Sequence, residues 1–387
     1  MIAAAPERAT LQRTALYALH CERGGCMAPF AGYEMPIRYT PGVLKEHLHT
    51  REAAGLFDIS HMGQIALRPK SGDLAGLARA LELLIPTDVL GLAPGRQRYA
   101  LFTNASGGII DDFMIAHRGD HFFLVVNASR KRADEQHLRA ALAEICSIEP
   151  LTDRALLAVQ GPAAETVLGR LAGSLADMRF MAIAEIAVAG SRCVVARSGY
   201  TGEDGFEISV PAAEAEALAR ALLAQPEIAF VGLGARDSLR IEAGLCLYGS
   251  DIDETTTPVE AGLEWAIPRV RRRGGGRAGN FPGADTILGE LEGGARRRRV
   301  GLRPQERIPV RGGATLFAAS PNPRPDAAPI GTVTSGLYGP SVAAPVAMGY
   351  VDREQVQSRA PLFARVRDHL VPVGVAALPF VPHRYKH

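Results

Sequence analysis

RYALFTNASGGIIDDFMIAHRGDHFFLVVNA, Arg98 to Ala128, reads as three short strands separated by tight turns. The segments RYALFTN, IIDDFMIAHR and HFFLVVNA are rich in aromatic and β-branched residues. Ala105 to Gly108 and Gly119-Asp120 supply the turns between them, which predicts an antiparallel meander. Successive side chains on a strand point to opposite faces, so Asp111 and Asp112 cannot both enter one pocket, and one of them is structural or solvated. A carboxylate that follows Ile109-Ile110 and precedes Phe113, Met114 and Ile115 is costly to bury without a polar partner. On the residues alone, a strand-end acid facing water is the commoner outcome for Asp.

Outward from the meander, helix and strand patterns interleave, which predicts a mixed α+β protein. Val43 to Ala54 has helix formers and ends at Gly55, a suitable residue just past a helix end. The pattern turns to strand at Leu56, carrying Asp58, Ser60 and His61, and Leu74 to Leu84 reads as an amphipathic helix stopped near Pro86. Ala155 to Gln160 is a short apolar strand, with Gly161-Pro162 opening a helix through Leu171. Phe206, Ile208 and Val210 alternate with Glu207 and Ser209, so Glu207 leaves its sheet opposite the aliphatic face. A helix at Ala212 to Ala224 follows. Ala235 to Ala243 is helical again, closed by Gly244, with Arg236 and Arg240 on one side.

The stretch Arg269 to Arg299 is glycine- and arginine-rich with a short helix at Asp285 to Leu291. Val300 to Pro379 is strand-like with many Gly and Pro turns, which predicts a small β-barrel or sandwich. The expected division is a region of interleaved α/β subdomains over 1–280 and a β-barrel domain over 281–387.

A chain of 387 residues exceeds one ordinary core, and 47% hydrophobic with 22% charged residues is typical of a soluble globular protein. The net charge of +2 argues against an electrostatically driven nucleic-acid binder. Cys21, Cys26, Cys146, Cys193 and Cys246 are scattered and lack C-x-x-C spacing, which fits a reducing compartment better than a disulfide framework. MIAAAPERATLQRTALY offers no apolar core of signal-peptide length, and no run is long enough to span a bilayer, so the expectation is a cytoplasmic protein away from membranes. No H-E-x-x-H and no P-C-x-x-C exists, and no metal is expected. Gly232-x-Gly234 fails as a dinucleotide fingerprint because Asp237 stands where the third glycine belongs. Asp58 and His61 look like an acid–histidine couple. With Ser60 they are too close in sequence for a hydrolytic triad, and no G-x-S-x-G elbow is present.

GLFDISHMGQ (Gly55 to Gln64), the Arg98 to Asp112 stretch, SGYTGEDGFEI (Ser198 to Ile208), GLGARDSLRIEAG (Gly232 to Gly244), PVEAGLEW (Pro258 to Trp265) and IGTVTSGLYGPSV (Ile330 to Val342) recur in one order. In that order they closely resemble the glycine-cleavage T-protein family of the folate-binding T-protein superfamily, over roughly Leu11 to Pro379. The resemblance implies a three-domain folate-binding aminomethyltransferase fold, with two α/β subdomains plus a C-terminal β-barrel domain around a central cavity. It implies transfer of a one-carbon unit from the aminomethyl-dihydrolipoyl arm of H-protein to tetrahydrofolate, with release of ammonia.

The same resemblance makes Asp112 the catalytic residue. It assigns Tyr99, Asp112, Asn127, Tyr200, Glu207, Arg236 and Trp265 to the folate site, with Glu207 accepting from the paired N–H donors of the pterin. Glu203 and Asp204 read as solvated turn acids, and the Ser60–His61 turn as a hydrogen-bonded lining of the cavity. The arginine-rich stretch departs from the family pattern, as does PNPRPDAAP at Pro321 to Pro329. Arg271 to Arg273 are either a basic patch for an acidic H-protein or a solvated linker. The alternatives are a tetrahydrofolate-dependent demethylase of a small methylated amine or sulfonium, and a non-catalytic folate-binding assembly protein.

Overall fold

The structure, a computed structural model, describes residues 11–173, 175–318, 328–358 and 360–387. The atypical Pro321 to Pro329 loop falls almost wholly outside the described residues. The meander forms as the turn residues require: strands Gln97–Thr103, Ile109–His117 and Phe122–Val126 pair antiparallel, and Gly63–Pro69 and Cys146–Pro150 complete a five-stranded sheet. Helices Leu74–Leu81 and Lys131–Leu142 cover one face and bury Leu77, Leu81, Leu138 and Leu142 against Phe102, Phe113 and Ile115.

A second sheet of six strands runs in the order Ile183–Val188, Ser191–Ala196, Gly205–Pro211, Arg154–Gln160, Ala54–Asp58, Ile228–Phe230. Its core packs Leu157, Val159, Phe206 and Ile208 beneath helices Ala164–Ala172 and Ala215–Leu223. The C-terminal region closes into a six-stranded barrel between Arg297 and Ala376, filled by Leu302, Leu316, Ala347, Leu362 and Val373.

Helix Leu233–Glu242 joins these parts. At its end Glu242 is buried and accepts from His47 at 3.0 Å, Arg51 at 3.2 Å and the backbone N–H of Ser341 at 2.8 Å. Arg51 also donates to Glu203 at 2.8 Å and to the Thr201 carbonyl at 2.7 Å. Two residues back, Arg240 pairs with Asp251 and donates to Ser335 of the barrel at 2.8 Å. The C-terminal tail returns over this junction, where the Phe380 N–H donates to the Glu242 carbonyl at 2.9 Å.

Several expectations are corrected here. Gly55 does not cap a helix; it lies inside strand Ala54–Asp58, where a Cβ would stand 2.6 Å from Thr50 Oγ1 and 2.7 Å from Val231, so close packing demands glycine. Glu203 and Asp204 are not solvated: Glu203 is buried on Arg51, and Asp204 pairs with the fully buried Arg197. Both acids neutralise buried guanidiniums, whose desolvation would otherwise be uncompensated. Arg271 to Arg273 form no free basic patch. Arg271 is buried on Glu82 and on the Glu82, Ile85 and Arg277 carbonyls. Arg272 donates to the Ile267 and Glu264 carbonyls, and Arg273 pairs with Glu292.

Burial would raise the Glu242 carboxyl, but the bond from His47 and the neighbouring Ser341 and Arg51 outweigh it and hold it down to about 2. A depressed carboxyl contributes stability above its unfolded value, here near 4.5, and that stability is lost as pH falls toward about 2. Arg51→Met leaves Glu203 paired, among the described residues, only with Arg384 at 3.4 Å and Glu242 held by His47 and Ser341, and a loss of about 3 kcal/mol is expected in urea unfolding at neutral pH. The difference from the parent should shrink as the pH is taken through that acid window.

Candidate functional site

Strand register builds the site. Leu101 stands opposite Asp112 and Phe113 opposite Val126, so Tyr99, Asp112 and Asn127 share the sheet face turned away from helix Lys131–Leu142. Tyr99 Oη donates to Asp112 Oδ2 at 3.0 Å, and Asn127 Nδ2 donates to Asp112 Oδ1 at 2.8 Å. Both carboxylate oxygens are thereby held in one orientation. Burial pushes the Asp112 carboxyl up to about 7 against the two hydrogen bonds. The adjacent Asp111 points the other way, fully buried beneath the helix, as alternation requires.

A second group lies within electrostatic reach of this one. Glu207 leaves its strand on the face opposite Phe206 and Ile208, and its Oε2 accepts from Ser198 Oγ at 2.6 Å. Its Oε1 has no hydrogen-bond partner among the described residues. Tyr200 donates its hydroxyl to the Cys246 carbonyl, and the Arg236 guanidinium lies 4.7 Å over its ring. The Arg236 guanidinium has no hydrogen bond or ion pair among the described residues, although burial lowers its pKa and the fields of Tyr200 and Glu207 oppose that. An arginine remains charged under such pressure, so its planar donor fork is free for an anion or acceptor.

Asp112 and Arg236 both contribute to the field at the Tyr200 hydroxyl, which links the two groups. Trp265 is 60% exposed, with its ring 5.1 Å from that of Tyr99, so it belongs to the rim and not to the core. Leu101, Ile109, Cys246, Ile252 and Ala261 form an apolar cluster against Tyr99.

The Asp58–His61 couple does not form. Asp58 instead pairs with His20 at 2.8 Å, both fully buried, and Tyr39 Oη meets the other ring nitrogen at 2.8 Å. Ser60 exchanges hydrogen bonds with the backbone of Leu156, as a turn residue and not a nucleophile. Burial, then the charge of Arg236, push His61 down to about 3, and its Nδ1 is buried without a partner. A neutral imidazole with a spare ring nitrogen therefore stands near Arg236. Spacing alone did not reveal Asp134, buried beside Asp111, or the Arg240–Asp251 pair, because each joins elements that are distant along the chain.

A cavity of about 430 Å³ lies between the Ser250 to Thr256 loop and the barrel, and one of about 580 Å³ opens at a barrel end beside Arg311 and Arg365. Neither is lined by Asp112, so the candidate site rests on its convergent side chains. Among the described residues no cluster of His, Cys, Asp and Glu is arranged to hold a metal ion. The arrangement offers a fixed, half-buried carboxylate, a second carboxylate with a free oxygen, and a free guanidinium. Together these suit a ligand with paired N–H donors and an acceptor or anionic group.

Residues 16–270 match the family model described as the GCVT N-terminal domain, and residues 297–382 match the glycine cleavage T-protein C-terminal barrel domain. The mitochondrial aminomethyltransferase of Dictyostelium discoideum is 40% identical over 393 residues, covering 97% of this chain and 94% of the relative. That of Homo sapiens is 42% identical over 384 residues, covering 97% and 91%. The crystal structure of glycine cleavage system aminomethyltransferase T from Bartonella henselae superposes with a TM-score of 0.88 at 43% identity, covering 97% of this chain and 100% of that one.

A carboxyl raised to about 7 is ionised at a cost above that pH, whereas below its unfolded value near 3.8 both states are protonated alike. Asp112→Asn should therefore be more stable than the parent by about 1 kcal/mol at about pH 8, discounting for partial exposure. The gain should fade toward about pH 5. Paired thermal or urea unfolding at the two pH values checks this.

Proposed function

Because this chain belongs to the glycine cleavage T-protein family, and like its curated relatives is an aminomethyltransferase of the glycine cleavage system, we propose a division of that chemistry among its own residues. The one-carbon acceptor in this reading is tetrahydrofolate and the donor is the aminomethyl-dihydrolipoyl arm of H-protein. Bound at this site, tetrahydrofolate supplies the two amine nitrogens that come to share the transferred carbon. Glu207 accepts from the paired N–H donors of the pterin, using the oxygen that Ser198 leaves free. Arg236 donates to an acceptor or carboxylate of the same ligand. Tyr200 and the rim residue Trp265 give flat contact surfaces.

Asp112 faces the reacting nitrogen and carbon. Held by Tyr99 and Asn127, it orients an amine and stabilises the positive charge that develops during transfer, without reorganising at that moment. Its carboxyl, raised to about 7, can also take up a proton near neutral pH. The single observation that carries this reading is the doubly anchored, half-buried carboxylate of Asp112. Five free cysteines fit a reducing compartment. Our assignment is the cytoplasm, and the mitochondrion named for the two eukaryotic relatives is reducing as well. No helix among the described residues is long and apolar enough to cross a membrane.

The test is release of ammonia and methylenetetrahydrofolate from aminomethyl-lipoyl H-protein, with and without tetrahydrofolate. Asp112→Asn should lose about a hundredfold or more in kcat while still binding folate, and Arg236→Ala should mainly raise the KM for folate. Turnover of a small methylated amine without H-protein would favour the demethylase reading instead. Activity of the parent should rise with pH through about 7 as Asp112 ionises.

A further inference from the structure

Behind Asp112, on the buried face of the same sheet, two more carboxyls meet. Asp111 and Asp134 are both fully buried, Asp111 on strand Ile109–His117 and Asp134 in the first turn of helix Lys131–Leu142. They lie within hydrogen-bonding reach of each other. Asp111 accepts from Asn127, from Nδ2 at 2.9 Å and from the backbone N–H at 3.3 Å. Neither oxygen of Asp134 has a donor among the described residues if both acids are ionised.

The other charged and titratable groups facing the pair do not supply that donor. Arg130, at the start of the helix, gives Nη2 to Glu254 at 3.1 Å and lies 5.2 Å over the Tyr248 ring, and its Nε is buried without an acceptor among the described residues, so its charge acts on Asp134 with no hydrogen bond to either acid. Asp112 adds like charge from the strand, and Tyr248 is a neutral phenol held above its usual range by burial. Two adjacent buried carboxylates cannot both be ionised cheaply, and an orphaned buried acceptor costs about as much as a lost hydrogen bond.

We propose that Asp111 and Asp134 hold a single proton between them, and that this pair positions Asp112 through the shared amide of Asn127. One hydrogen bond then satisfies Asp134, which keeps the negative charge nearer Arg130. Asp111 is left neutral, so only one full charge stands at the reacting carboxylate. Asn127 Nδ2 reaches Asp111 Oδ1 at 2.9 Å and Asp112 Oδ1 at 2.8 Å, so the orientation of the buried acid is passed directly to Asp112. Asp111 and Asp134 are positioning residues in this account, which rests on the assignment of Asp112 as the reacting carboxylate.

Infrared difference spectroscopy of the full chain tests the proton, and steady-state kinetics test the positioning. At about pH 8 Asp112, near 7, is mostly ionised while Asp111, pushed up to about 9 by burial and by Asp134, is not. The carbonyl band of a buried carboxylic acid should be present in the parent and in Asp112→Asn, and absent in Asp111→Asn. A parent without the band, or an Asp111→Asn variant that keeps it, overturns the shared proton. Asp111→Asn mimics the protonated acid and should retain kcat within about threefold, whereas Asp111→Leu should lose about a hundredfold with KM little changed. Asp134→Asn moves the charge onto Asp111 and should shift the acid limb of the pH–rate profile upward by roughly one unit. Equal loss in the Asn and Leu variants of Asp111, or an unshifted Asp134→Asn profile, overturns the positioning role. Normal turnover by Asp112→Asn with the band intact would instead remove the assignment of Asp112 and leave the shared proton standing.

Discussion

The buried carboxylate of Glu242 is the contact on which the rest of the architecture depends. It draws His47 and Arg51 from one helix and Ser341 from a barrel turn onto the end of helix Leu233–Glu242, and the tail bonds its carbonyl. A buried ion pair adds little net energy over well-packed apolar residues, but removing one partner is expensive, so such a cluster tolerates one arrangement and penalises others. That property matters here because the same helix carries Arg236. With its far end fixed, the helix can present a guanidinium that has no acceptor of its own, which a freely docked element would turn toward solvent or toward an acid.

The contrast between Arg236 and the other interior arginines separates binding chemistry from scaffold. Arg51, Arg197, Arg240 and Arg271 each engage a buried or half-buried carboxylate. Arg236 keeps its donors, Glu207 keeps an oxygen, and His61 keeps a buried ring nitrogen. Interiors ordinarily satisfy such groups, and leaving three of them open in one neighbourhood is a cost that a ligand offsets. Strand alternation achieves a comparable separation within two residues, sending Asp112 toward this neighbourhood and Asp111 under a helix.

The meander and the helix ending at Gly244 were legible because turn residues and periodicity are local signals. So was the barrel, whose short strands and Gly-Pro turns follow one another directly. Tyr99, Asp112 and Asn127 are assigned to one site by the family resemblance and not by spacing, and the structure does bring them together. Glu203 and Asp204 carry no local sign of their burial, for a physical reason. In a glycine-rich turn a Glu-Asp pair is ordinarily solvated, and the guanidiniums that hold these two, Arg51 and Arg197, lie on other elements. The same holds for Asp58, whose histidine partner, His20, is far from the nearby His61. It holds too for the Arg271 to Arg273 run, whose acceptors are backbone carbonyls and the carboxylates of Glu82 and Glu292, which no composition argument can locate. Long-range charge pairing leaves no periodicity behind, so it shows only once the chain is folded.

Trp265 is the only tryptophan in the chain, and it stands exposed at the rim with Tyr99 at 5.1 Å. The emission of the whole molecule on excitation in the red edge of its absorption therefore originates at one point beside the candidate site. Energy absorbed by Tyr99 can pass to it over that short separation. The polarity and quenching of a single indole thus report on events at this rim, without a label and without background from elsewhere in the fold.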